Sequence, residues 1–243
     1  MRIVCWFSCG VPSAVAAKLA IDKFSKGSVV VCYTDTSSEH QDNGRFLSDV
    51  QEWLGVEITV LRSKKYKDIN DVFQREKFLR GPRGARCTTE MKKVPRYNFE
   101  RPDDLHIFGY TNDKRDKKRA FDFKERNFDL KMEFPLIEVG LNRSDCMKII
   151  RDAGIELPKM YRLGFPNNNC VGCVKSESPD YWLNIKEHFP DVFKIRAIQE
   201  RKLNYALCRI KKVPVFLDEL TEEMRTGRIA PMSCDFLCGE VEG

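Results

Sequence analysis

Along the first sixty residues, two hydrophobic patterns alternate. Arg2-Ile-Val-Cys-Trp-Phe-Ser8 is a continuous apolar, β-branched run and predicts a buried strand. The small turn Cys9-Gly10-Val11-Pro12-Ser13 follows, and the Ala-rich stretch from Ser13 to about Phe24 predicts a helix. Lys26-Gly27 ends it. Ser28–Tyr33 predicts a second buried strand, with Thr34-Asp35-Thr36 at its carboxyl end. Asn43–Leu54 is amphipathic, with Phe46, Val50, Trp53 and Leu54 on one face. Gly55 stops it, and Val56–Leu61 predicts a third strand. A βαβαβ order of this kind predicts an α/β fold with a doubly wound, mostly parallel sheet.

The pattern continues less regularly. A basic stretch, Ser63–Gly84, is predicted helical over Asn70–Leu79 and ends in Arg80-Gly-Pro-Arg-Gly-Ala-Arg86, which predicts a flexible cationic loop. Leu105–Gly109 predicts a further strand, opening directly into Tyr110–Arg119, where Asp, Lys and Arg alternate. Met132–Ile137 leads into a helix from Asn142 or Ser144 to Gly154. Helices are expected over Tyr181–His188 and Phe193–Tyr205, joined at Pro190, with a short amphipathic helix over Phe216–Met224. Two parts are expected: an α/β nucleotide-binding domain over 1–140 and a helical, cysteine-bearing region over 141–243, packed as one unit.

Composition adds location and chemistry. No apolar run reaches the length of a membrane span and the start does not read as a signal peptide, so the cytoplasm is the expected compartment. The formal charge is +6 from 42 basic and 36 acidic residues, compatible with an anionic ligand. Ten cysteines are many for a chain of 243 residues in a reducing compartment, where clustered thiols more often bind metal or react than form disulfides. Cys5, Cys32, Cys146 and Cys208 lie in apolar or helical contexts and are read as small core residues.

The other cysteines carry the chemistry. Cys170-x-x-Cys173 has good chelate spacing, and Cys234-x-x-x-Cys238 is a second pair. Cys87, between Arg86 and Lys92, has surroundings that stabilise a thiolate. Four of these five can hold structural zinc, three or four an iron–sulfur cluster, or the CxxC can act as a dithiol couple. His40, His106 and His188 are scattered and receive no role. The turn Ser8–Ser13 directs backbone N–H groups and a helix N-terminus at one spot, which suits a phosphate or sulfate. Asp35 and Thr36 either contact the same ligand or cap the next helix. The basic residues of Lys114–Arg119 form either a solvated helix face or guanidinium contacts to an anion, and also a candidate nucleic-acid stripe lacking interleaved aromatics.

Several stretches together resemble the successive motifs of the phosphoadenosine phosphosulfate (PAPS) reductase family, in order. They are Ser8-Cys-Gly-Val-Pro-Ser-Ala-Val, of the PP-loop form, then Thr34-Asp35-Thr36, and Arg86-Cys87-Thr88 with Lys92 and Pro95. Gly109–Arg115 with Arg119-Ala120, and Tyr161-x-x-Gly-Phe-x-x-x-x-Cys170-x-x-Cys173, complete the series. The resemblance implies an adenine nucleotide α-hydrolase-like fold. It places Ser8, Cys9, Gly10 and Ser13 at the phosphate or sulfate and Thr34, Asp35 and Thr36 near the nucleotide. Arg86, Lys92, Gly109, Asp113, Arg115 and Arg119 complete the implied nucleotide site. It further implies a 4Fe-4S cluster drawn from Cys87, Cys170, Cys173, Cys234 and Cys238, with zinc as the alternative, and Cys238 or Cys87 as the reactive thiol.

Two chemistries are compatible with this resemblance. One is reduction of PAPS or adenylyl sulfate (APS) with a thioredoxin-like reductant. The other is ATP-dependent, pyrophosphate-releasing sulfur transfer, with Mg2+, a sulfur donor such as a cysteine desulfurase and a nucleic-acid acceptor. Pro12 stands where many ATP pyrophosphatases have Asp, and the reductases' C-terminal Glu-Cys-Gly-[Ile/Leu]-His is present only as the loose echo Cys238-Gly239-Glu240. A non-catalytic binding subunit with structural zinc is the reading from another class. A homodimer is the expected assembly, and no membrane partner is expected.

Overall fold

The computed structural model describes residues 1–81 and 84–229. Its main elements in chain order are β1 (Ile3–Phe7), α1 (Val11–Phe24), β2 (Val29–Asp35), α2 (Asn43–Leu54), β3 (Ile58–Arg62) and α3 (Ile69–Glu76). There follow β4 (Leu105–Phe108), α4 (Lys114–Arg126), β5 (Lys131–Glu133) and α5 (Arg143–Asp152). The last are α6 (Pro179–His188), α7 (Pro190–Lys202), β6 (Cys208–Ile210) and β7 (Val213–Val215). No helix among the described residues is long and apolar enough to cross a membrane.

Five strands form one sheet in the order β3-β2-β1-β4-β5, and every pairing in it is parallel. This is the α/β, doubly wound arrangement expected from the alternation of apolar runs. Ile3, Cys5 and Phe7 point to one face of the sheet, against α1, α2 and α5, where Val15, Phe46, Val50, Cys146 and Ile150 are buried. Trp6 points to the other, where its indole donates to His106 Nδ1 at 3.0 Å and stacks on the imidazole. Strands are added outward from β1 in one direction up to β3 and in the other from β4, so the carboxyl ends of β1 and β4 flank the switch point at which such sheets bind ligands.

Clustering by internal contacts gives two compact units. The first comprises 1–35, 41–62 and 95–162, and contains the sheet; the second comprises, of the described residues, 36–40, 63–81, 84–94 and 163–229. In the second unit, α6 and α7 pack together, and Glu200 of α7 accepts hydrogen bonds from the Leu207 and Leu217 backbone N–H groups. Asp180 of α6 accepts from Thr226 N, Thr226 Oγ1 and Gly227 N, and so anchors the last described segment.

Three local expectations are corrected. Arg80–Gly81 and Gly84–Ala85 pair as a small antiparallel ladder in place of a flexible loop, with Arg80 bonded to Glu177 at 2.7 Å; Pro82 and Arg83 lie outside the described residues. Cys87 lies in a helical turn, Arg86–Thr88, that runs on through a wider π turn at Thr89–Lys93, and it is buried. Phe216–Met224 forms two short 3₁₀ turns, because Leu220 and Thr221 are extended between them.

Burial pushes the Glu200 carboxyl up to about 7. The folded protein therefore keeps a proton on Glu200 that the unfolded chain releases near its ordinary carboxylate range, and this contribution to stability declines as pH rises from about 4.5 to about 7. His106, which burial holds at about 4, acts in the opposite sense as pH falls through the ordinary imidazole range. The measurement is accordingly a difference: thermal melts of the protein and of Glu200→Gln should diverge progressively across that window. A constant difference would remove the assignment to Glu200.

Candidate functional site

In the first unit the site is built from the carboxyl end of β1. Ser8, Cys9 and Gly10 turn the chain into α1, with Cys9 in the left-handed region at φ 56°. The turn is held from inside: Ser8 N–H donates to Ser13 Oγ at 3.0 Å, Ser13 Oγ donates to the Gly10 carbonyl at 2.8 Å, and the two hydroxyls lie 3.1 Å apart. Gly10 is the N-cap of α1 and offers no side chain to it. The first N–H groups of a helix have no intrahelical acceptor, and they point outward with the positive end of the helix dipole. Pro12 removes one donor from this set. The Cys9 side chain is fully buried, its thiol toward the Asn43 carbonyl, so what Cys9 presents to a ligand is backbone.

Neighbouring strand ends complete this edge. Thr34 is buried at the end of β2, and Asp35 pairs with Arg62 at 2.8 Å. Gly109, just past β4, lies directly against the start of α1: a Cβ there would stand 2.6 Å from Ser13 Cα and 2.8 Å from Ser13 N. Only a glycine permits this approach. Beyond it, Asp113 N-caps α4 and accepts from Thr111 Oγ1 at 2.8 Å and from Arg143 N at 3.1 Å. Asp116 accepts from Thr111 Oγ1 at 2.9 Å and pairs with Arg119. Arg115 is exposed on the first turn of α4. Lys114–Arg119 thus lie on a helix, as one of the two readings of their alternating charge has it.

The second unit holds the cysteine centre. Cys87, Cys170 and Cys173 are all buried, and none is in a disulfide. Thr36 Oγ1 lies 3.1 Å from Cys170 Sγ, and the Tyr181 hydroxyl accepts from Cys173 N–H at 2.7 Å. Gly172, between the two cysteines, turns the chain at φ 67°. Arg196 of α7 donates through Nε to the Gly172 carbonyl at 2.9 Å, and through Nη1 to Asn70 Oδ1 and Gln199 Oε1. Its guanidinium is buried and bonded to neutral acceptors; burial lowers its pKa, while Cys87, Cys170, Tyr181 and Cys173 act in the opposite sense. Lys92 is buried beside Glu39 at 3.4 Å, and Arg86 pairs with Glu76 and Glu90.

By chemistry these donors suit a thiolate-held metal group: three thiols near a buried guanidinium. By geometry, no group of three His, Cys, Asp or Glu among the described residues could hold a metal ion. Cys234 and Cys238 lie outside the described residues. Cys5, Cys32, Cys146 and Cys208 are core residues as expected, and burial raises all four thiols, with Cys32 and Cys146 pushed up to about 12.

Sequence reasoning did not single out Arg196 or Tyr181. Their signal is contextual: one of two arginines in a helix, and a tyrosine eight residues after a cysteine, acquire meaning only once the chain is folded.

Residues 2–179 match the model of the phosphoadenosine phosphosulfate reductase domain. The chain belongs to this family. No curated protein matches the sequence. Among solved structures, the chain is similar in fold to PAPS reductase from Candida auris, determined as a phosphate complex. The TM-score is 0.51 at 10% identity, over 70% of this chain and 81% of that one. The matched stretch in this PAPS reductase family member runs from the start of β1 through the Ser8–Ser13 turn, Gly109 and the Cys170–Cys173 turn.

Proposed function

We propose that this member of the PAPS reductase family reduces a sulfonucleotide, PAPS or APS, to sulfite. The observation that carries the reading is the Ser8–Ser13 turn at the N-terminus of α1, a hydroxyl- and N–H-lined anion cradle inside the stretch that matches the family. Ser8, Gly10, Ser13 and the backbone of Cys9 hold the nucleotide's phosphate or sulfate, with Thr34, Asp35, Thr36 and Gly109 beside it. Arg86, Lys92, Asp113, Arg115 and Arg119 set the charge around it.

The reaction needs a thiolate. The Cys238 thiolate attacks the sulfur of the sulfonucleotide; a new S–S bond forms, the S–O bond to the nucleotide phosphate breaks, and the nucleotide leaves as a phosphate anion. An external dithiol of the thioredoxin class then attacks the S-sulfocysteine. It releases sulfite, regenerates the protein thiol and is itself oxidised to the disulfide. Cys87 is the other candidate for the attacking thiol. A 4Fe-4S cluster or zinc would draw on Cys170, Cys173 and Cys87 together with Cys234, which leaves Cys238 to react; the three described cysteines alone do not form a metal-holding group, and a bound group would fix their thiolates in place. None of the steps above depends on it.

The test is product analysis of reduced protein. Sulfite release from PAPS or APS is expected, lost in Cys238→Ser and kept in Cys32→Ser. Pyrophosphate release from ATP without sulfite from either sulfonucleotide would overturn the reading in favour of ATP-dependent sulfur transfer.

A further inference from the structure

Helix α4 carries a feature that sulfonucleotide chemistry does not use. It holds seven basic and three acidic side chains in thirteen residues, in a chain whose whole formal charge is +6. Ala120 and Phe123 face inward, where Phe123 packs on Phe108 and Tyr110, and Asn127 is buried at the helix end. On the opposite side, Lys114, Lys117, Lys118, Phe121 and Lys124 recur at helical spacing of three and four, and Phe128 extends the row past the last turn. All six are exposed, with Phe121 at 64% and Phe128 at 88%. Glu125 also lies on this side, and Lys118 pairs with Asp122 at 3.2 Å; Lys114, Lys117 and Lys124 form no ion pair among the described residues.

Large apolar rings in open water cost hydration, and rows of like charge repel one another. A ligand that relieves both must offer repeated negative charge and flat apolar faces. We infer that the Lys114–Phe128 stripe of α4 is a docking surface for a single-stranded polynucleotide, its ammonium groups on phosphates and its two phenyl rings stacked on bases. An anionic membrane fits less well, because surface helices of that kind present a continuous apolar band, whereas here each ring is separated from the next by lysine. An acidic protein satisfies the charge and leaves the rings unexplained. The aromatic residues missing from a reading of Lys114–Arg119 alone are supplied seven residues apart by the same helix and its C-terminal turn.

The surface is independent of the Ser8–Ser13 cradle, so the two readings fail separately. Binding of the full chain to a labelled mixed-sequence oligonucleotide, as RNA and as DNA, is measured by fluorescence anisotropy across a salt series. Binding to either is expected, and the stronger arm identifies the natural strand. Phe121→Ala and Phe128→Ala should each weaken it about tenfold. Lys117→Gln and Lys124→Gln should each flatten the salt dependence by about 0.7 in logarithmic slope. Because all four side chains are exposed, the melting temperature and sulfonucleotide binding should be unchanged. The inference is overturned by absent oligonucleotide binding at low salt, by phenylalanine variants that bind like the parent, or by binding to anionic phosphatidylserine vesicles alone.

Discussion

Replacing Gly109 by alanine should cost about 3 kcal/mol of stability and abolish nucleotide binding, a large effect for one methyl group. The reason is the identity of the atoms it would meet. The added Cβ would stand 2.6 Å from Ser13 Cα, 2.8 Å from Ser13 N and 3.0 Å from the Pro12 carbonyl carbon. These are backbone atoms of the first turn of α1, so no rotamer change relieves the clash. Either β4 leaves its register with β1 or the helix start moves outward. The second outcome opens the Ser8–Ser13 hydroxyl pair and misdirects the N–H groups of the cradle. Gly27→Ala is the control, since a Cβ there meets nothing within 4 Å and the backbone is not left-handed. Urea melts and calorimetric titration with adenosine 3′,5′-bisphosphate measure the two effects. A Gly109→Ala protein that melts and binds like Gly27→Ala would show that this close approach does not shape the cradle.

The sheet and the cradle are legible in the sequence for a reason that lies in burial. Buried parallel strands must be apolar on both faces, so Ile3–Phe7, Val29–Tyr33 and Leu105–Phe108 announce themselves as runs. Helix α2 was read to its observed limits, Asn43–Leu54, because its apolar face is regular and Gly55 takes the left-handed cap at φ 63°. The β6–β7 hairpin was invisible: its turn residues Lys211 and Lys212 adopt φ 49° and 70° without glycine or asparagine to mark them. The ladder at Arg80–Ala85 is hidden because glycine, proline and arginine in that stretch carry the signal of a flexible loop and its strands are two residues each. In the cradle, the serines could be read from spacing. The inward turn of the Cys9 side chain could not, because it depends on the Asn43 carbonyl, 34 residues away.

Charge followed the same division. Basic residues were counted correctly from the sequence, but their partners were not foreseeable. Lys92 meets Glu39, Arg86 meets Glu76 and Glu90, and Arg119 meets Asp116. The partly exposed pairs of Arg86 and Arg119 contribute little to stability, about 0–1 kcal/mol each, whereas Lys92–Glu39 is buried and its attraction is set against the desolvation of both groups.

Arg196→Met is the second substitution with a large expected effect, a loss of about 3–5 kcal/mol. Methionine approximates the length of the buried side chain, so packing against Phe73, 5.1 Å below the guanidinium, is partly kept. What is lost is every hydrogen bond: the Gly172 carbonyl, Asn70 Oδ1 and Gln199 Oε1 are left facing an apolar chain. The carbonyl is the sensitive one. It belongs to the turn between Cys170 and Cys173, whose glycine is already in the left-handed region and whose Cβ position is closed by Val192 at 2.6 Å. Removing the guanidinium therefore loosens both α3 and the cysteine turn from α7, and takes away a buried positive charge that favours thiolates there. Arg196→Lys restores the charge but has a single nitrogen for acceptors spread over a planar fork, so it should recover only part of the stability. Alkylation of Cys170 and Cys173 by iodoacetamide, followed residue by residue by mass spectrometry, separates the two roles. If Arg196 only props the fold, both variants should expose the two thiols to alkylation in proportion to their loss of stability. If it also supports the anionic form of the thiols, the lysine variant should alkylate faster than the methionine variant at matched stability. A methionine variant as stable as the parent would mean that these acceptors find other donors, and the assignment of Arg196 as the tie across the cysteine centre would fall.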